Sequence, residues 1–179
     1  MTKIRIVSSK RLLHSRIFDV VNERATGGGL RIERQIVKHP GASVMLARDG
    51  HGRVLLIRQY RLPLRKRLWE LPAGTRGPGE SALQTARREL AEETGYRARR
   101  WRKLVRFYTT PGFCDEEMSV YLAEGLSEGK PSPEPHEKIE KRWFSWKQAL
   151  AMIEGGRIRD GKTILALLYS EQFHPPPAR

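Results

Sequence analysis

The chain has 179 residues, 39% of them hydrophobic and 30% charged, with a single cysteine and a formal net charge of +14. These values fit one globular domain with room for a small appendage, and they exclude a disulfide-stapled, fibrous or disordered chain. No apolar run reaches membrane-spanning length and the N-terminus carries no signal-peptide pattern, so the expected location is the cytoplasm.

Taken in order, Ile4–Val7, Arg16–Asn22 and Leu30–Lys38 carry β-branched or alternating residues and predict strands. Gly27, Gly28 and Gly29 turn the chain between the last two. Ala42–Arg48 and Arg53–Arg58 predict a hairpin around Asp49-Gly50-His51-Gly52. Leu68–Leu71 is a short expected strand that delivers the chain to Pro72, Ala73 and Gly74. Gly74, Gly77 and Gly79, with Pro78, predict a tight loop without regular structure. A helix follows, with Ser81 as N-cap, Gly95 as left-handed stop, and Leu83, Ala86 and Leu90 joined by Ala82 as its buried stripe.

Beyond it, Trp101–Thr109 and Glu117–Ala123 predict strands separated by Pro111 and Gly112. Lys130–His136 holds three prolines and is an expected loop. Ile139–Phe144 is a further strand, Trp146–Gly155 and Gly161–Phe173 are helices, and residues 174–179 are expected to fray. Strands first, one central helix, more strands and terminal helices imply an α/β sandwich rather than repeated βαβ units. Residues 1–40 form a small N-terminal antiparallel β subdomain in this reading, and 41–173 form the main domain.

The chemistry concentrates in residues 74–96, which read G-x5-E-x7-R-E-L-x-E-E-x-G-Y. Glu89 and Glu93 are neighbours on one helix face, with Glu92 three residues from Glu89. The three carboxylates repel one another in the last turns, where the helix dipole favours cations. Each such conflict costs roughly 0.3–1 kcal/mol at an exposed site. A hard divalent cation is the natural compensation, because Mg²⁺ takes oxygen ligands and shares its shell with substrate phosphates. Arg88 can pair back to Glu80 and brace the loop against the helix. E-L-x-E-E alone would be read as a solvated acidic face. The loop glycines, Glu80, Arg88 and Gly95 in register favour a metal site.

The positive charge gathers in Arg61–Arg67 and in Arg97–Lys103, the second interleaved with Trp101. A basic surface raises a nucleic-acid hypothesis. No recognised nucleic-acid motif accompanies either cluster, so both are read as solvated basic surface.

The spacing over 74–96 matches the Nudix box at every constrained position, and the chain resembles the Nudix hydrolase superfamily. Around the box, Arg58-Gln-Tyr-Arg-Leu62, Leu68-Trp-Glu-Leu-Pro-Ala-Gly74, Pro111-Gly-Phe-Cys-Asp-Glu116 and the segment from Ile158 to Leu168 resemble its ADP-ribose pyrophosphatase branch. Pro111, fifteen residues beyond Tyr96, matches that branch's marker proline. The resemblance implies a Nudix α/β/α sandwich whose N-terminal β subdomain mediates homodimerisation, in some members by exchange between protomers. Arg34 then aligns with a substrate-contacting arginine lent by the partner, and Arg61 and Glu116 align with substrate-binding positions. Glu70 braces the metal loop or contacts ligand. The implied metal ligands are the Ala73 carbonyl, Glu89 and Glu93, with Glu92 bridging or binding a further ion.

The implied reaction is Mg²⁺-dependent hydrolysis of the diphosphate of a nucleoside diphosphate sugar, with Mn²⁺ as the alternative metal. ADP-ribose, giving AMP and ribose 5-phosphate, is the first substrate. GDP-mannose or another nucleotide sugar is the alternative, and a Nudix-fold RNA-binding or regulatory module is a third reading. Such chemistry runs on charge stabilisation and positioning, with a general base for the water. Glu137 aligns best with a family base or metal ligand; Glu134, His136 and Glu92 stay open as alternatives. Trp69 is expected in the core, and Lys162 and Thr163 in support of the last helix.

Overall fold

Strand β4 (Ala42–Ala47) is buried along its whole length, and β5 (Val54–Arg61) over its first four residues. Side chains alternate between the faces of a strand, so burial at every residue requires a layer on both sides. Val44 and Leu46 enter one core with Val54, Leu56, Val120 and Leu122. Met45 and Ala47 enter the other with Leu55, Tyr121 and Ala123. This alternation dictates a three-layer arrangement.

The computed structural model describes residues 3–132 and 138–176. The remaining elements are β1 (Arg5–His14), β2 (Asp19–Gly27), β3 (Leu30–Lys38), β6 (Lys66–Glu70), β7 (Ala73–Thr75), α1 (Ala82–Thr94), β8 (Tyr96–Tyr108), β9 (Glu117–Glu128), β10 (Glu140–Phe144), α2 (Trp146–Glu154) and α3 (Gly161–Phe173). A four-stranded mixed sheet runs β7-β4-β9-β8, with β4 parallel to β9. An antiparallel sheet runs β10-β5-β6. Helix α1 covers one face through Ala86 and Leu90. Helices α2 and α3 contribute Ala149, Met152, Ala166 and Leu167 to the opposite core. The architecture is an α/β/α sandwich, as expected.

The antiparallel sheet β1-β2-β3 stands apart. Every residue of β1 is exposed. Backbone hydrogen bonds from Val37 to Phe113 and from Asp115 to Val37 tie the end of β3 to the loop around Pro111.

Helix α1 begins with the expected cap. The Ser81 hydroxyl accepts from the Gln84 amide at 3.3 Å while the Gln84 side chain accepts from the Ser81 amide at 2.8 Å, a reciprocal capping box. Gly95 closes it at φ 78°, a left-handed conformation that glycine adopts without strain.

Three expectations are corrected. The hairpin over 42–58 does not form. A turn at Asp49 is present, with a single bridge from Arg48 to Val54, but β4 and β5 lie in different sheets. The reason is their burial: each is an inner strand with two neighbours of its own and no free edge for the other. The loop expected after Pro72 contains β7, which pairs with Ala42–Val44. Strand β8 starts at Tyr96, five residues before the expected Trp101, because Tyr96 and Ala98 already pack on the α1 core.

Candidate active site

Pairing of Ala73 with Val44 and of Thr75 with Ala42 lays β7 along α1. Contact there is close. The Glu89 carboxyl group occupies the space that a Cβ on Gly74 would fill. The Ala73 amide donates to Glu93 Oε2 at 3.1 Å, and Glu93 is only 5% exposed. Glycine at 74 is therefore dictated by the approach of a carboxylate rather than by turn geometry.

Arg88 joins the remaining groups. Its Nε and Nη2 donate to the two oxygens of Glu80 at 2.8 and 2.9 Å. Its Nη1 donates to Glu89 at 2.6 Å and to Glu92 at 3.0 Å, and Nη2 also reaches the Thr75 carbonyl at 3.2 Å. One guanidinium thus holds three carboxylates and the edge of β7. Its own pKa is pushed above the ordinary arginine value, first by the Glu80 hydrogen bonds.

Glu80 responds in the opposite sense. Hydrogen bonds from Arg88, the Gly77 amide (2.9 Å) and the Thr85 hydroxyl (2.9 Å) stabilise its charged form. They hold its pKa at about 2, against an ordinary value of 4.5. Because the folded-state pKa is depressed, this contribution to stability is fully present above pH 4.5 and is lost as pH falls towards about 2. Glu80→Gln should therefore flatten the acid limb of a stability-against-pH profile in that window, in urea melts performed with chelator. An unchanged acid limb would remove Glu80 as its source.

Beside this group lies a second network. Glu70, 1% exposed, accepts from Arg61 Nε at 2.8 Å and Arg61 Nη2 at 2.6 Å, and from Lys162 Nζ at 2.5 Å. Burial acts to raise the Glu70 carboxyl, but the hydrogen bonds and charges of Arg61 and Lys162 outweigh it and leave the pKa below its ordinary value. Lys162 also pairs with Asp160 at 2.9 Å, and Asp160 caps α3. The buried Thr163 hydroxyl accepts from the Leu71 amide at 2.8 Å, which fixes the chain just before β7. Thr163 supports the helix start as expected, through its hydrogen bonds to the Asp160 cap, which sequence reasoning did not single out. Sequence reasoning missed the pairing of Lys162 with Glu70, whose one signal is a buried-strand glutamate needing more than one cation.

Arg34 and Glu116 stand beside the Pro111 loop. Arg34 and Phe113 line a cavity of about 290 Å³. Glu116 accepts from the Thr109 hydroxyl at 2.9 Å and lies 3.5 Å from His39 Nδ1. Sequence reasoning missed Thr109 and His39 as its supports. Glu134, His136 and Glu137 lie outside the described residues. Trp69 is buried edge-on to Phe144, ring centres 5.1 Å apart, and belongs to the core.

A divalent cation fits the chemistry of this site. The groups gathered between β7 and α1 are hard oxygen donors, and Gly74 leaves open the space that the Glu89 carboxyl needs. Among the described residues no three acidic, histidine or cysteine side chains stand in ready-made ion-holding geometry. Arg88 is bonded to two of the carboxylates, so a cation would compete with it for the same oxygens.

Comparison with known proteins agrees with the fold. A NUDIX domain family model matches residues 37–167. The chain is 37% identical to an ADP-ribose pyrophosphatase of Bacillus subtilis, over 92% of this chain and 91% of that protein. It is 39% identical to an ADP-ribose pyrophosphatase of Mycobacterium tuberculosis, over 90% of this chain and 80% of that one. A crystal structure of an ADP compounds hydrolase superposes with a TM-score of 0.83 at 20% identity, covering 96% of this chain and 94% of that one, and shows the same fold.

Proposed function

The chain belongs to the NUDIX domain family, and from that premise we propose that it hydrolyses the diphosphate of a nucleoside diphosphate sugar. ADP-ribose is the first substrate, giving AMP and ribose 5-phosphate. The observation that carries the reading is the set of Glu89, Glu92 and Glu93 held between β7 and Arg88. Similarity to two ADP-ribose pyrophosphatases over most of the chain supports the substrate.

Nudix hydrolases work with a divalent metal; here we assign Mg²⁺, with Mn²⁺ as the alternative. The Ala73 carbonyl, Glu89 and Glu93 would hold it, with Glu92 able to bridge. When bound, such an ion would supply positive charge against the diphosphate and would make the attacking water easier to deprotonate. The protein's own groups do the rest. Glu92 is the outermost of the three, 41% exposed, and is assigned to orient the water and take its proton. Glu137 is the second candidate for that role, with Glu134 and His136 behind it. Arg61, 39% exposed, presents a cation to the substrate while Glu70 behind it fixes the guanidinium plane. Arg34 of β3 and Glu116 are assigned to the nucleoside and sugar side, beside the Pro111 loop.

The test is a Mg²⁺-dependent panel over ADP-ribose, GDP-mannose, UDP-glucose, FAD, NADH and capped RNA, with the monoester products converted to inorganic phosphate by an added phosphatase. ADP-ribose should lead. A clear preference for GDP-mannose would move the substrate within the nucleotide sugars, and turnover of none would overturn the proposal.

We also propose a homodimer acting in the cytoplasm. The N-terminal sheet leaves Ile6, Val7, Leu12, Leu13 and Leu30 about half exposed, an apolar surface of the kind that a second copy covers. No helix among the described residues is long and apolar enough to cross a membrane. Arg34→Ala should raise the KM for ADP-ribose while light scattering still reports a dimer; unchanged kinetics would discard Arg34 as a substrate contact.

A further inference from the structure

The basic run Arg97–Lys103 has no part in the chemistry above, and its place in the fold gives it one. At the end of β4 remote from β7, the Asp49 turn and the β8–β9 pair enclose a cavity of about 480 Å³. That is the size range of small-ligand sites. Arg48, Arg99 and Arg100 line it, with the backbone of Gly50, Gly52 and Gly125.

Gly125 is what brings two of the arginines together. It lies at φ 66°, between the Ala98–Leu126 and Arg100–Glu124 pairs of the β8–β9 ladder. Neighbours on a regular strand point to opposite faces, yet Arg99 Nε and Arg100 Nη1 both lie within 3.5 Å of the point where a Gly125 Cβ would sit. Two guanidinium groups therefore converge on one glycine, and a methyl group there would be tight against Arg99 Nε at 3.3 Å and in contact with Arg100 Nη1 at 3.5 Å.

The local acids do not balance this charge. Glu124 accepts from Arg48 Nε at 3.1 Å and Nη2 at 2.9 Å, and its other oxygen is 4.0 Å from Arg100. Asp49 is taken up by the Arg53 side chain at 2.8 Å and by the amides of His51 and Arg53. Arg99 makes no ion pair among the described residues. Arg48 is buried and further held by the His174 carbonyl at 3.2 Å, so it forms a fixed floor rather than a mobile cover. Three arginines facing one shared carboxylate across a cavity of this size make a receptor for a compact, multiply charged anion.

We propose that this cavity is a second, non-catalytic site for a phosphate-bearing small anion, bound between Arg99 and Arg100 over Gly125. It lies at the opposite end of β4 from the carboxylates, and its existence does not depend on the reaction assigned above.

The experiment is calorimetric titration of the intact protein with inorganic pyrophosphate in chelator, at low salt. Three variants are compared with wild type: Arg99→Ala/Arg100→Ala, Gly125→Ala, and Arg102→Ala. Arg102 is on the same strand and likewise exposed, but outside the cavity. The double variant should weaken binding at least about tenfold, the loss of one charge-assisted contact, while Arg102→Ala stays near wild type. Gly125→Ala reports on the convergence itself: it should weaken binding and also lower the melting temperature, because alanine is strained at φ 66°. Equal loss in Arg102→Ala and the double variant would show diffuse attraction to a basic surface and overturn the site. Unchanged affinity in the double variant would overturn it as well.

Discussion

Glu93→Gln should lower kcat for ADP-ribose by about 10²–10³-fold, the scale on which a single charge-stabilising group acts in an enclosed site. Glutamine keeps an oxygen that can accept from the Ala73 amide, so the seam between α1 and β7 should survive. Only the charge is removed, at a position that is 5% exposed and unable to borrow a counterion from solvent. Steady-state kinetics with a thermal melt in chelator separate the two effects. A rate near wild type would remove Glu93 from the catalytic group. A large drop in melting temperature would instead make its role structural.

The second large effect concerns a residue with no side chain. A methyl group on Gly74 would overlap the Glu89 carboxyl. The obstructed atoms are the far end of a flexible side chain, so Glu89 should swing away and the backbone should hold. Overpacking costs typically about 1–3 kcal/mol, and a side chain that can move aside keeps the cost at the low end. Activity should suffer more. Displacing a charged group by an ångström costs on the order of 10²-fold, and Gly74→Ala should show a loss of that order in kcat. The double variant Gly74→Ala/Glu89→Ala should lose no more than Glu89→Ala alone, because both changes act through one side chain. Additive losses in that cycle would mean that Gly74 serves the site by some other route.

Glu93 and Gly74 mark the boundary between what is legible in the sequence and what is not. The carboxylates, Arg88 and Glu80 are legible because a helix converts spacing into proximity: residues three and four apart share a face. Arg88 bonds Glu92, four residues on, for that reason, while Glu80 is brought to it by the loop that enters the helix. Caps are legible too, since Ser81 and Gly95 act on their own neighbourhoods. Contacts between distant segments are not. Nothing local to Gly74 announces Glu89, and nothing near Glu70 announces Lys162, ninety-two residues away. The hairpin over 42–58 fails on the same ground. A turn sequence specifies a reversal of direction, and only burial on both faces decides that the two strands enter different sheets.

The parallel pairing of β4 with β9 has a consequence for biosynthesis. Ala42 is joined to Met118 and Ala47 to Ala123, so everything from the Asp49 turn through β7 and α1 lies inside one closed loop. Closing a long loop must precede the contacts that stabilise it, which makes such pairings slow. A nascent chain released only as far as residue 116 carries Glu80, Arg88, Glu89, Glu92 and Glu93, yet lacks the strand that holds β4, and therefore β7, in place. The proposed metal-binding group is complete as sequence well before it is complete in space, and the strands made after it decide when it can assemble.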